Sequence, residues 1–197
     1  MKNLPFFETV MQFILLISGS LTTQLQADLQ GNKCTLDDQI LELKKEIAGG
    51  GTIDLLDANT LRLDGICSFD KNNLNTGRAF IFDKLALGYA VHATDSGLAG
   101  KIAYNTAAPK ELQNAIFILS QDGREVLRMP VRDLNNIGTG TNAEEEYKQL
   151  KSLRYLVDNR EIKAQIKFPE GVTLDATKKH YVYLRCSGLQ TSKKANA

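Results

Sequence analysis

Side chains able to do chemistry are few in this chain and widely scattered. His92 and His180 are its two histidines, and neither belongs to a set of Cys, Asp or Glu at metal-ligand spacing. Both fall at the ends of expected strands, where a partly exposed structural histidine is the common arrangement. Cys34, Cys67 and Cys186 form an odd, widely separated set without a CxxC pair. They fit neither a disulfide framework nor a zinc site and read as small buried hydrophobes. No GxSxG, HExxH, P-loop or dinucleotide fingerprint occurs, and the glycines of Gly97–Gly100 and Gly138–Gly140 lack the helix and lysine that phosphate binding needs. Asp37-Asp38 and Glu144–Glu146 lie at the starts of expected helices, where carboxylates serve the helix dipole more often than acid–base catalysis. The reading is a non-enzyme without metal or cofactor.

The bulk numbers agree. A length of 197 residues suits one domain with an extension, and 43% hydrophobic against 24% charged residues is enough to bury a core. A formal net charge of +1 is too balanced for a general nucleic-acid binder. Lys178-Lys179, Arg185 and Lys193-Lys194 give the C-terminal part a basic accent, explained by a solvated face or by a weak phosphate or lipid-headgroup contact.

The clearest structural signal is Asn114–Val131. Two apolar runs there flank Asp122-Gly123, a dipeptide suited to the positive φ angles of a two-residue hairpin. Arg78–His92 reads as one long strand whose alternation slips between Phe82 and Leu85, so a bulge is expected near Asp83-Lys84. Glu161–Phe168 alternates strictly, His180–Cys186 is rich in β-formers, and short strands are expected at Thr60–Leu63, Ile66–Phe69, Lys101–Tyr104 and Arg154–Val157.

Two compact helices are expected, one opened by Thr35 and stopped by Gly49-Gly50-Gly51, with the stripe Leu36, Ile40, Leu43 and Ile47, and one over Asn142–Leu153 with Tyr147, Leu150 and Leu153 on one face. The strands then number about seven or eight, and the fold expected is mainly β: an antiparallel β-sandwich, a single jelly roll with an N-terminal helical extension. Residues 1–77 form the arm, 78–190 the sandwich and 191–197 a flexible basic tail.

In the arm, Phe7, Val10, Ile14, Ile17, Leu21, Leu25 and Leu29 recur at steps of three and four, as on one face of a long helix that packs on a partner or a membrane surface. The run Val10–Ile17 is too short for a confident membrane span. Its layout also fits a secretory signal peptide cleaved after Ala27, although Glu8 stands where positive charge is wanted. The retained helix is the preferred reading. The alternative is a secreted or periplasmic β-sandwich module holding a ligand in the loops Ala93–Gly100 and Gly138–Asn142.

A resemblance follows from Leu85–His92 (LALGYAVH), Glu111–Leu127 (ELQNAIFILSQDGREVL) and the close of the chain from Glu161 to Gly188. In rhythm these segments resemble the jelly-roll coat proteins of icosahedral, tailless, lipid-containing phages. The resemblance implies a structural virion protein that assembles with copies of itself and other virion proteins, with the N-terminal segment against neighbours or an internal membrane and no specific nucleic acid. Major coat proteins of that lineage usually carry two such barrels in one chain, whereas this length holds one.

Overall fold

A computed structural model describes residues 4–135 and 146–194. Eight strands run in chain order: β1 Cys34–Ile47, β2 Thr52–Asp54, β3 Ala79–His92, β4 Ile116–Gln121, β5 Arg124–Pro130, β6 Lys148–Val157, β7 Ile162–Lys167 and β8 Lys179–Lys193. They form two four-stranded antiparallel sheets, ordered β1-β8-β3-β6 and β2-β7-β4-β5. Strands that alternate between two facing sheets in this order make the paired Greek keys of an eight-stranded jelly roll.

The hairpin is as read: Gln121 pairs with Arg124 across Asp122 (φ 52°) and Gly123 (φ 75°). So is the bulge, since the register of β3 against both neighbours shifts between Phe82 and Lys84. The shift moves the inward set from Phe80 and Phe82 to Leu85, Leu87 and Tyr89. Gly188 lies opposite the bulge, where a Cβ would fall 2.0 Å from the Ile81 carbonyl oxygen; only glycine lets the backbones approach so closely.

Both expected helices are corrected. Thr35–Lys45 lies within β1, paired along its whole length with β8. Its Leu41, Leu43 and Ile47 point into the core, an alternation that competes with the helical stripe and wins because a long partner strand is present. Tyr147–Leu153 is mostly β6; the expected helix start at Asn142 lies outside the described residues. Thr60–Leu63, Ile66–Phe69 and Lys101–Tyr104 form no named strands, although Leu63 and Leu43 each bridge to Cys67. The domain limits shift too. The sandwich begins at Cys34, not Arg78, and β8 carries the expected tail residues Thr191–Lys193.

One core fills the space between the sheets, around Phe80, Phe82, Leu112, Phe117, Ile166 and Leu184. Cys67 and Cys186 belong to it as free thiols, and burial raises the Cys186 pKa to about 12. A second cluster lies on the outer face of the β1-β8-β3-β6 sheet, where Ala79, Ile81, Val157 and Leu189 meet the N-terminal helices. Two-sided burial explains why β6 ends in the nearly continuous apolar run Leu153–Val157: Leu156 faces the main core, while Leu153, Tyr155 and Val157 face the helices.

Candidate interaction surface

The arm is two helices rather than one. Helix α1 (Leu4–Leu16) ends in a 3₁₀ turn at Ser18–Ser20, and α2 (Thr23–Gln30) follows. Ser18-Gly19-Ser20 supplies poor helix formers at the break. Gln26 seals the corner by donating from Nε2 to the carbonyls of Ser18 and Leu21, both at 2.9 Å.

The face expected to meet a partner is largely covered by the chain itself. Val10, Ile14, Leu21 and Leu25 are buried against Ala79, Ile81, Val157 and Leu189, with Ile17 partly buried beside them. Each such side chain contributes about 1.5–3 kcal/mol before the entropy of ordering the arm is subtracted. Phe7 alone of the proposed contact residues points outward, at 36% exposure.

Polar anchors fix the arm. Asp158, fully buried just past β6, accepts from the Thr22 hydroxyl at 3.0 Å and from the Gly77 amide. Arg160 donates to the Ser20 carbonyl at 3.1 Å. On α2, Asp28 accepts from Gln24 Nε2 at 2.9 Å and lies 3.3 Å from Lys193 Nζ. The Gln24 amide, with help from Lys193, holds the Asp28 carboxyl below the usual carboxylate range. The N-terminal segment is thereby tied to β6, β8 and the β6–β7 turn.

The outward flank of α1 is apolar as well. Leu4, Phe7, Met11 and Leu15 recur at steps of three and four, joined by Leu16 at the helix end, and Leu15 and Leu16 are 71% and 84% exposed. Beside them a groove of about 380 Å³ runs between the helices, lined by Met11, Ile14, Leu15, Leu21 and Leu29. Sequence periodicity finds the inward face because it is the longer stripe. It misses the outward one because a helix apolar on two sides gives no single dominant stripe. No helix among the described residues is long and apolar enough to cross a membrane.

A second concavity, about 460 Å³, opens at one end of the sandwich. Its floor is the buried pair Tyr89–His180, with Tyr89 Oη 2.5 Å from His180 Nδ1. His180 Nε2 donates to the Asp175 carbonyl at 2.9 Å, which leaves Nδ1 to accept from the phenol when the ring is neutral. Burial, with lesser effects of Glu111 and Asp175, raises the Tyr89 pKa to about 12, so the phenol stays protonated. The pair fills its own hydrogen bonds, and His180 is buried rather than partly exposed. Of the loops assigned to a ligand, Ala93–Gly100 does not line this cleft. Gly97 instead donates to Glu46 at 3.1 Å and Tyr181 Oη donates to the Asp95 carbonyl at 2.8 Å, while Gly138–Asn142 lies outside the described residues. Among the described residues no cluster of three or more His, Cys, Asp or Glu could hold a metal ion. Comparison with protein-family models and with curated proteins finds no match to the chain.

Proposed function

We propose that this chain is a structural subunit of a virion shell, a jelly-roll tile that assembles through its N-terminal helical arm. The observation that carries the reading is the outward flank of α1. An apolar helix flank with two leucines more than 70% exposed, and Glu8 as the one charge of that helix, is held on a folded domain, as a contact surface awaiting a neighbour is built. The eight-strand jelly roll is an architecture that capsid domains share with lectins and cupins, so it accommodates the reading without selecting it. The arm also speaks for its own retention, because loss of residues 1–27 would uncover Ala79, Ile81, Val157 and Leu189 to water.

Electron microscopy of the purified full chain tests this. Closed or sheet-like arrays of uniform subunits are the expected result, and dispersed single molecules at every concentration and salt would contradict it.

The cleft over Tyr89 and His180 favours a second reading, an exported module that binds a small ligand at the end of the sandwich. Mass spectrometry of the mature N-terminus separates the two: a chain starting at Asp28 favours export, and an intact arm favours the shell subunit.

A further inference from the structure

A third concavity, of about 50 Å³, lies toward the end of β8 away from His180, and it is lined by groups that the fold leaves unused. Arg62, in the loop after β2, and Arg78, just before β3, both line it; among the described residues neither guanidinium has an ion pair or a side-chain hydrogen bond. Gln190 of β8 joins them. It is 5% exposed, yet its side-chain amide has no hydrogen-bond partner among the described residues. Buried polar groups are nearly always paired, so this amide points to a partner from outside the chain. The surroundings are fixed rather than adaptable. The loop at residues 70–77 is held by Leu74 in the main core, by the Asn72 carbonyl accepting from the Ile162 amide at 2.7 Å, and by the Gly77 amide donating to Asp158. Ser68 is held against β1: its hydroxyl oxygen accepts from the Glu42 amide at 3.0 Å, which leaves the hydroxyl proton for a further bond.

Two guanidinium forks, the Gln190 amide and the Ser68 hydroxyl proton make a donor set suited to a tetrahedral oxyanion. One water needs about 10–15 Å³ of such space, so about 50 Å³ admits an ion of a few heavy atoms and excludes a nucleotide or a sugar. Asp70, which lines the same concavity, then selects among oxyanions. Its carboxylate also has no side-chain partner among the described residues, and it can only accept. Beside a bound anion it is tolerated only where the anion offers it a proton. At neutral pH hydrogen phosphate carries an O–H and sulfate carries none. We infer that this concavity binds hydrogen phosphate, with Arg62 and Arg78 on the anionic oxygens, Gln190 and Ser68 donating beside them, and Asp70 accepting the anion's O–H. The inference goes beyond the shell-subunit reading and does not depend on it.

Titration calorimetry of the full chain at pH 7, with sodium phosphate and separately with sodium sulfate at equal ionic strength, tests the inference. The expected result is phosphate binding with a Kd of about 1 mM or tighter, and sulfate binding about tenfold weaker or absent. Arg62→Gln and Arg78→Gln should each weaken phosphate binding about tenfold or more, and Asp70→Asn should bring sulfate level with phosphate. Gln190→Met, which keeps the side chain's size and removes the unpaired amide, should weaken phosphate binding while leaving the thermal midpoint unchanged or higher. Arg128→Gln, at an exposed ion pair with Glu125 outside the concavity, serves as the control and should change nothing. Circular dichroism checks the fold of every variant. Methyl phosphate, run in parallel, distinguishes the sources of the ligand: equal binding extends the site to the end of a phosphomonoester, and its exclusion confines the site to the free ion, both through the same hydrogen phosphate group. No heat with phosphate, equal binding of sulfate by the wild type, or phosphate binding that survives both arginine variants, the mark of an adventitious ion only, would overturn the inference. None of these results bears on whether the chain assembles, so failure here leaves the shell-subunit reading in place.

Discussion

Asp158 joins three parts of the chain through one buried carboxylate: the end of β6 that bears it, the Thr22 hydroxyl at the start of α2, and the Gly77 amide that precedes β3. Replacing it with alanine leaves the buried Gly77 amide and the half-buried Thr22 hydroxyl without their acceptor, a loss of about 1–3 kcal/mol. Asp158→Ala is therefore expected to lower the urea midpoint and to raise hydrogen exchange in Thr23–Gln30 before exchange rises in β3. Asp28 adds a pH dependence of defined sign. Its pKa is lower folded than the ordinary 3.8, so its contribution is complete above that value and is lost as pH falls through the lower folded value. The protection of α2 amides, taken relative to the intrinsic exchange rate at each pH, should fall on acidification in the wild type, and Asp28→Asn should remove that acid step. At Gly188 the margin is geometric: a Cβ would stand 2.0 Å from the Ile81 carbonyl oxygen and 2.8 Å from Phe82 Cα. Gly188→Ala should cost about 3 kcal/mol or more, or prevent folding, because backbone atoms at a bulge cannot yield as a side chain can. None of these three roles is legible from sequence. Asp158 and Gly188 depend on partners far along the chain, and Asp28 on Lys193 of β8 besides the nearby Gln24.

Elements were legible where local chemistry and tertiary context agree. Asp122-Gly123 demands positive φ whatever surrounds it, and the β3 alternation slip at Asp83 records a bulge in the side chains themselves. Gly123→Ala, with its φ of 75°, should cost about 1–2 kcal/mol by thermal unfolding while leaving the β4–β5 pairing in place. Where the two conflict, sequence misleads. In Cys34–Ile47 the acidic start and the Lys44-Lys45 end imitate helix dipole partners, yet Glu42 serves instead as acceptor for Tyr183 Oη at 2.6 Å, and Lys44 Nζ lies 4.7 Å from the Tyr183 ring centre. Those contacts exist only beside β8. Tyr147–Leu153 fails for the same reason, since strand β6 needs β3 on one edge and the arm on one face to declare itself. The arm is the intermediate case: its apolar period is plain, but whether the stripe faces outward or inward depends on the apolar outer face of Ala79 and Ile81. Leu25→Ala, at a fully buried site in α2, should cost about 2–5 kcal/mol in urea unfolding, where an arm free of the sandwich would show almost nothing.

At the scale of the whole molecule, the arm divides its apolar surface between a covered and an uncovered side. Its inner faces complete the sandwich by covering one sheet, and the outer flank of α1 stays uncovered. The balanced net charge of +1 is compatible with the proposed assembly through an apolar face, which needs no field to bring copies together. Salt should accordingly leave association nearly unchanged or strengthen it, as burial of apolar surface does when charge pairs play no part. Light scattering of the full-length chain across salt and concentration reads this most directly. The account predicts a mass that rises above the 21.8 kDa of one chain as concentration increases and does not fall at high salt. A constant 21.8 kDa under all these conditions would contradict it.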